Sequence, residues 1–207
     1  MRQSVIEIFP EFSKKFEGRV AWMYLDIKGL VTTGVGNLID PVGAAMCLPF
    51  VHRSDMSLAS PSEIAAEWSS IKHHVELAKQ GHRSASKFCK LMLTDDSIDV
   101  LVRQKLLANE KYLRRRFAEW DEWSADAQLA VLSMAWAMGA GFTRVFKTFT
   151  KNCETQHWAD ASANCSINSK GNPGVIPRNA ADRALLLAAQ SVKDNDEDPE
   201  PLYGFAL

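Results

Sequence analysis

One segment departs from the helical patterning of the rest of the chain. Residues 22–38 (WMYLDIKGLVTTGVGNL) alternate β-forming side chains with Asp, Gly and Thr, a pattern typical of a small hairpin sheet. Gly29 supplies a turn, and Gly34 and Gly36 loosen the second strand. The chain is therefore predicted to be α+β and mostly helical, with one small antiparallel sheet near the N-terminus.

Capping residues mark several helix boundaries. Ser60 and Glu63 form a capping box before a helix predicted over residues 64–79. Thr94 and Ser124 are expected to cap the next two helices. The helix after Ser124 is predicted over residues 127–138. Further helices are predicted over residues 11–16, 142–150, 158–165 and 179–192, and residues 40–60 are expected to be irregular.

Composition narrows the class of protein. The 207 residues suit one domain, and 46% hydrophobic with 24% charged residues is typical of a globular protein. No apolar run reaches the length of a membrane helix, so no membrane insertion is expected. The 24 basic and 25 acidic residues give a net charge of −1, which argues against a nucleic-acid binder. Residues 194–200 hold five of the acids, so the remaining chain carries a charge of +4.

The cysteines and histidines do not form a metal motif. Cys47, Cys89, Cys153 and Cys165 contain no CxxC pair, and they are interpreted as reduced, mostly buried thiols. The five histidines have no ligand spacing with them, so no metal is expected. The N-terminal residues lack the features of a signal peptide, which predicts synthesis in the cytoplasm without one.

Two carboxylates and a threonine in the hairpin segment point to hydrolytic chemistry. Glu17 lies at a predicted helix end, Asp26 follows nine residues later on the first strand, and Thr32 lies across the turn. Glycoside hydrolysis needs a protonated acid on one side of the scissile bond and an ionised carboxylate on the other. The spacing alone leaves open that both are ordinary solvated carboxylates.

The same segment carries an ordered set of motifs. These are Glu17-Gly18, Tyr24-Leu25-Asp26, Gly29 and Thr32-Thr33-Gly34-Val35-Gly36. They resemble, at the same spacings, the catalytic segment of the phage-type lysozymes, glycoside hydrolase family 24. The resemblance implies Glu17 as general acid, Asp26 as the opposite carboxylate, and Thr32 as its partner in positioning the attacking water, with inversion. A one-residue slip would exchange the faces of Thr32 and Thr33.

The chain departs from the family at one position and resembles it again further on. Asn37 stands where the family has His. The later similarities are Met134–Gly139 with Gly141-Phe142-Thr143, Trp158-Ala159-Asp160-Ala161 with Asn164, and Pro177-Arg178-Asn179. Carried over by position, Leu38, Trp136 and Asn164 would line a sugar-binding cleft. Which of Arg178 and Asn179 points into that cleft stays open.

The resemblance implies a lysozyme-like bilobed fold in a single domain over residues 1–207. A catalytic hairpin lobe covers residues 10–40, and a larger helical lobe covers residues 92–192. Residues 41–88 do not align and form an inserted or enlarged linker, which could act as a lid, bind a partner or add core. Residues 193–207 form an acidic tail that is expected to run over the surface.

The implied activity is that of a muramidase acting on the peptidoglycan glycan strand. It would cleave the β-1,4 bond between N-acetylmuramic acid and N-acetylglucosamine as a monomer, without cofactor, metal, nucleic acid or membrane insertion. It would act in the periplasm after release or export by a separate system. A phage endolysin, a virion lysin and a secreted antibacterial effector with an immunity or inhibitor protein remain alternatives. So do a lysozyme-like protein that binds without cleaving and a chitin-type substrate.

Overall fold

The computed structural model describes residues 1–205 and is mostly helical, with small antiparallel sheets. The described chain divides into two compact units: a sheet unit of residues 17–103, and a helical unit of residues 1–16 and 104–205. The strands are β1 (Val20–Leu25), β2 (Val31–Gly34), β3 (Asn37–Leu38), β4 (Val51–His52) and β5 (Leu91–Met92). The α-helices are α1 (Gln3–Lys14), α2 (Val42–Met46), α3 (Pro61–His73), α4 (His82–Ala85), α5 (Asp95–Arg116), α6 (Ala125–Met138), α7 (Lys147–Glu154), α8 (Trp158–Asn164) and α9 (Ile176–Asp194). Shorter 3₁₀ turns cover Val75–Lys79, Ser86–Phe88, Trp120–Glu122, Ala140–Arg144 and Pro173–Val175.

The predicted hairpin is present in the sheet unit as a three-stranded antiparallel sheet in the order β1-β2-β3. Tyr24 lies opposite Thr32, and Thr32 lies opposite Leu38, so these three residues share one face. The register shifts between Val20 and Tyr24, as in a β-bulge. The sequence pattern predicted a single second strand, whereas the structure has two separate strands there, β2 and β3.

Two glycines make the tight turn between β2 and β3. Gly34 has a φ of 63° and Gly36 a φ of 67°, in the left-handed region that side chains disfavour. Asn37 closes the turn, because its Oδ1 accepts a hydrogen bond of 3.2 Å from the backbone N–H of Val35. The geometry of this turn therefore explains why the motif has glycine at these two positions.

The inserted region has more structure than expected. Residues 40–60 were predicted to be irregular, but they contain α2 and β4. The apolar side chains of Ala45 and Phe50 are fully buried there, which stabilises these short elements by tertiary packing. The capping box of Ser60 is confirmed, although the helix it opens ends at His73 and continues as a 3₁₀ turn.

Helix α6 forms the centre of the helical unit, as its apolar composition predicted. Its residues from Ala125 to Trp136 are all buried, and it packs against α1 and α9. Ser124 caps its start by accepting from the N–H of Ala127, and Gly139 ends it with a φ of 79°.

Helix α1 is longer than predicted. The sequence suggested a helix beginning after Pro10, but α1 begins at Gln3 and contains that proline. Val5, Phe9 and Phe12 lie at helical spacing and are fully buried. Their burial outweighs the backbone hydrogen bond that Pro10 cannot make.

The acidic tail is attached to the helical unit. The N–H of Ala125 donates to Pro199 O at 2.8 Å, and the N–H groups of Tyr203 and Gly204 donate to the Asp126 carboxylate. Residues 195–204 are exposed or half-buried, as expected of a tail on the surface, and these hydrogen bonds hold residues 199–204 in place. Residues 206 and 207 of the predicted tail lie outside the described residues.

Three of the four cysteines, Cys89, Cys153 and Cys165, are buried, which confirms the interpretation of mostly buried thiols. Cys47 is exposed. No helix within residues 1–205 combines the length and apolar character that crossing a bilayer requires.

Candidate active site

Glu17, the predicted general acid, lies between α1 and β1 in the sheet unit and is half-buried. A Cβ placed on Gly36 would lie 3.7 Å from Oε2 of Glu17. The carboxylate therefore lies against the turn between β2 and β3. A chain segment that is distant in sequence from Glu17 thus forms part of its surroundings.

Asp26, the predicted opposite carboxylate, follows β1 directly and is held by its own turn. Its Oδ1 accepts from the backbone N–H of Lys28 at 2.8 Å and from that of Leu30 at 2.9 Å. These bonds fix the orientation of the carboxylate. Within residues 1–205, no protein hydrogen bond to Oδ2 is formed, so this oxygen can accept one from a bound molecule.

Thr32 shares the sheet face of Tyr24 and Leu38, and Thr33 lies on the opposite face. Thr32 is 5% exposed, and its hydroxyl donates to Leu30 O at 3.3 Å. Thr33 is fully buried and donates to Val20 O. Leu38 is 55% exposed. Of the two adjacent threonines, only Thr32 is directed to the face of Tyr24.

The Tyr24 hydroxyl group is influenced electrostatically by both carboxylates. Burial raises the pKa of Tyr24 to about 12, and the negative charges of Glu17 and Asp26 both add to that increase. Both carboxylates are therefore close enough to act electrostatically on one hydroxyl group. Glu17 and Asp26, nine residues apart in sequence, thus both influence the same side chain electrostatically.

An imidazole from the inserted region borders this group, and sequence reasoning missed it. The His82 ring centroid lies 5.9 Å from that of Tyr24, and a Cβ on Gly18 would lie 3.8 Å from His82 Cε1. The carbonyl of His82 accepts a hydrogen bond of 2.8 Å from the Trp22 indole N–H. No spacing pattern links His82 to Gly18 or Trp22, because the contacts arise from packing of the insertion.

The other two predicted site residues belong to the helical unit. Trp136 is only 4% exposed and packs against the Phe9 ring, with centroids 5.0 Å apart, and under the Lys105 ammonium. Asn164 is exposed, and its amide donates to Asp160 O at 2.8 Å. In this structure Trp136 contributes to the core, and Asn164 closes the end of α8.

Arg178 and Asn179 both have structural contacts at the start of α9. Arg178 is 3% exposed and donates to the backbone and hydroxyl oxygens of Ser133. Asn179 accepts from the N–H of Ile167 and donates to its carbonyl. Arg178 thus contributes to the core, and Asn179 fixes the preceding loop.

A separate cavity of about 380 Å³ lies in the sheet unit. Its lining includes His52, Glu63, Glu67, Phe88 and Lys90, and none of the predicted site residues. The Glu67 carboxylate accepts from the N–H groups of Lys90 and Leu91, so it serves to satisfy backbone donors. Across the described residues, no group of three or more His, Cys, Asp and Glu side chains is arranged to hold a metal ion.

Neither a comparison with known protein-family models nor a search of curated proteins finds a match to this chain.

Proposed function

We propose that this chain is a glycoside hydrolase of the lysozyme type, with a bilobed lysozyme-like fold. Its substrate is the β-1,4 bond between N-acetylmuramic acid and N-acetylglucosamine in peptidoglycan. The observation that carries the proposal is the placement of three groups on one sheet: Glu17 lies against the turn between β2 and β3, Asp26 directly follows β1, and Thr32 lies opposite Tyr24. The resemblance of the surrounding motifs to the phage-type lysozymes supports the same chemistry.

Glu17 takes the role of general acid in this proposal. It donates its proton to the glycosidic oxygen as the bond to the anomeric carbon breaks. An added Cβ at Gly36 would lie 3.7 Å from Oε2 of Glu17, so the glycine lets the turn between β2 and β3 approach the acid closely.

Asp26 and Thr32 take the role of positioning and activating water. Because Oδ1 of Asp26 is held by two backbone N–H groups, Oδ2 is the oxygen that receives a proton from the water. The Thr32 hydroxyl donates to Leu30 O, so its oxygen lone pair can accept the second water hydrogen. The water oxygen then attacks the anomeric carbon, and the stereochemistry at that carbon is inverted.

Purified sacculi provide the direct test. The wild-type protein should clear a sacculus suspension and release fragments with new reducing ends, identified by mass spectrometry. Glu17→Gln and Asp26→Asn should each lower the rate by about 10²-fold or more, because each removes a proton-transfer group. Glu11→Gln is the matched control, since Glu11 is an exposed glutamate on α1.

Two results would overturn the proposal. One is a wild-type protein that leaves sacculi intact from about pH 4 to about pH 9. If that protein co-sediments with sacculi, the binding-only alternative replaces hydrolysis. The other is lysis by Glu17→Gln at the wild-type rate. Proton NMR of the first product anomer distinguishes inversion from retention.

The proposed site of action is the periplasm, where a monomer would meet the glycan strand after release or export. The three biological settings differ in neighbouring genes. A holin gene beside this one favours an endolysin, and an immunity gene favours an exported effector. A place among virion structural genes favours a virion lysin.

A further inference from the structure

We propose that His82, Tyr24 and Trp22 form one wall of the substrate site, and that His82 contacts the glycan and favours muramyl over neutral sugars. This inference rests on the proposed function. It assigns to the inserted region a direct part in substrate selection, which the motifs of residues 17–36 do not supply.

The position of His82 is the first step. Its Cε1 would lie 3.8 Å from a Cβ on Gly18, the residue that follows Glu17. Its ring stands nearly perpendicular to Tyr24, at an interplanar angle of 64°. Tyr24 in turn lies within the field of Glu17 and Asp26. The imidazole is therefore adjacent both to the residue that follows the proposed acid and to the Tyr24 ring.

The position is also fixed. The backbone carbonyl of His82, rather than its side chain, accepts the Trp22 indole N–H. The ring centroids of Trp22 and His82 lie 6.4 Å apart. His82, Tyr24 and Trp22 are each half-buried, so none of these residues lies entirely within the core. A substitution at His82 removes the imidazole and retains the backbone anchor.

The chemistry of the wall suits a muramyl residue. Aromatic faces pack against the C–H faces of a pyranose, and imidazole N–H groups can donate to an acetamido oxygen or a carboxylate. The Arg53 guanidinium lies 5.7 Å from the Trp22 ring and is held by Ser86 O and Cys89 O. Its positive charge favours the lactyl carboxylate of N-acetylmuramic acid, which chitin lacks.

Opposing charges are part of the same surroundings. Glu17, beside Gly18, and Asp26, near Tyr24, are both acidic and disfavour an anion placed close to them. The anionic group of the sugar is therefore expected on the Trp22 and Arg53 side of His82. A neutral N-acetylglucosamine unit gains nothing from that placement.

Steady-state kinetics of His82→Gln test the inference. We expect KM for soluble peptidoglycan strands to rise about tenfold with kcat changed less than about threefold, because uniform binding is lost. The same variant should raise KM for a neutral chitin oligomer less, because chitin shares the acetamido and ring contacts but has no carboxylate contact to lose. His73→Gln is the control, since His73 is exposed and its ring bonds to Ser69 O of its own helix.

Binding in a Glu17→Gln background separates the two proposals. A muramyl fragment should shift the Cε1–H resonance of His82 and leave that of His73 unchanged. If the wild-type enzyme is active but His82→Gln keeps the wild-type KM, the role of His82 is overturned while the hydrolase proposal stands. The same holds if KM rises equally for peptidoglycan strands and for the chitin oligomer. An inactive wild-type protein overturns hydrolysis, and the titration still decides the binding wall: an unshifted His82 resonance rejects it.

Discussion

The ammonium group of Lys72, on α3, lies 2.5 Å from Oδ2 of Asp40, two residues after β3. The same ammonium donates to the carbonyl of Gly29 at 2.8 Å, and Oδ2 of Asp40 also accepts from the N–H of Val31. One inserted side chain thus joins the turn after Asp26 to the far end of the three-stranded sheet. Through Lys72, the inserted region therefore stabilises the hairpin that carries the proposed site.

Lys72→Met should destabilise the sheet unit. The substitution leaves a largely buried carboxylate, 16% exposed, without its ammonium partner, and we expect a loss of about 1–3 kcal/mol in unfolding free energy. Urea denaturation measures it. Lys28→Met is the control, because Lys28 is exposed on the same hairpin. Equal stability of the two variants would show that the Lys72 contacts add nothing.

The same ion pair predicts a pH dependence. The Lys72 hydrogen bond lowers the pKa of Asp40 below its ordinary value. A lowered carboxyl pKa contributes stability above the unfolded value of about 3.9, and that stability is lost as the pH falls through the folded value. Unfolding free energy should therefore fall more steeply on acidification in the wild type than in Lys72→Met. If the unfolding free energies of the two proteins fall in parallel below about pH 5, this prediction is contradicted.

Gly34→Ala should lower the unfolding free energy by more than the addition of one methyl group suggests. Gly34 has a φ of 63°, and an added Cβ would lie 3.0 Å from Oδ1 of Asn37. Left-handed backbone alone costs about 1–2 kcal/mol for a residue with a Cβ, and the close contact adds to it.

Gly43→Ala provides the matched control. Gly43 lies within α2, and a Cβ there would have no neighbour within 4 Å. Alanine should stabilise that helix by about 0.5–1 kcal/mol. Thermal unfolding of both variants measures the contrast. A Gly34→Ala protein as stable as Gly43→Ala would reject the proposed constraint on the turn.

The hairpin and several helix ends could be predicted because their determinants are local. The glycines at 34 and 36 set the turn, and Ser60 and Ser124 cap helices through groups only three residues away. Helix α1 was mispredicted because distant packing of Phe9 and Phe12 overrides the local effect of Pro10. Local patterns do not contain that information.

The surroundings of the carboxylates were predictable only in part. The face of Thr32 follows from β-sheet register, which the sequence left open between Thr32 and Thr33. His82 reaches Gly18 and Tyr24 from a segment that no motif relates to them. A long-range contact of this kind requires the fold itself.

Removing residues 199–207 should destabilise the helical unit. The truncation takes away the acceptor of the Ala125 N–H and two N–H donors to Asp126, whose carboxyl pKa burial raises. We expect a loss of about 2–4 kcal/mol in unfolding free energy, since buried polar groups lose partners. Circular dichroism during urea titration measures it.

A charge control distinguishes docking from electrostatics. Asp196→Asn with Glu197→Gln removes two exposed acids, and Asn tolerates the left-handed backbone at position 196, where φ is 51°. This variant should keep wild-type stability. If it also binds sacculi as the wild type does at low salt, Asp196 and Glu197 have no part in cell-wall binding. A stable truncated protein would reject the structural role of the tail.

Asp182→Asn should increase stability at neutral pH. Asp182, on α9, is fully buried, and burial raises its pKa to about 7 despite the opposing influences of Ser133 and Arg178. A raised carboxyl pKa means that the folded chain binds the proton more tightly than the unfolded chain. Stability therefore falls as the pH rises from about 4 to about 7, by at most about 1.4 kcal/mol per pH unit.

Asparagine cannot ionise, so Asp182→Asn should remove this pH dependence. The variant and the wild type should differ more at about pH 8 than at about pH 4.5, as measured by urea denaturation at both values. Asp160→Asn, at an exposed position on α8, should follow the wild-type profile. If Asp182→Asn also retains that profile, Asp182 stays in one protonation state across the range, and its burial does not govern the response of the helical unit to pH.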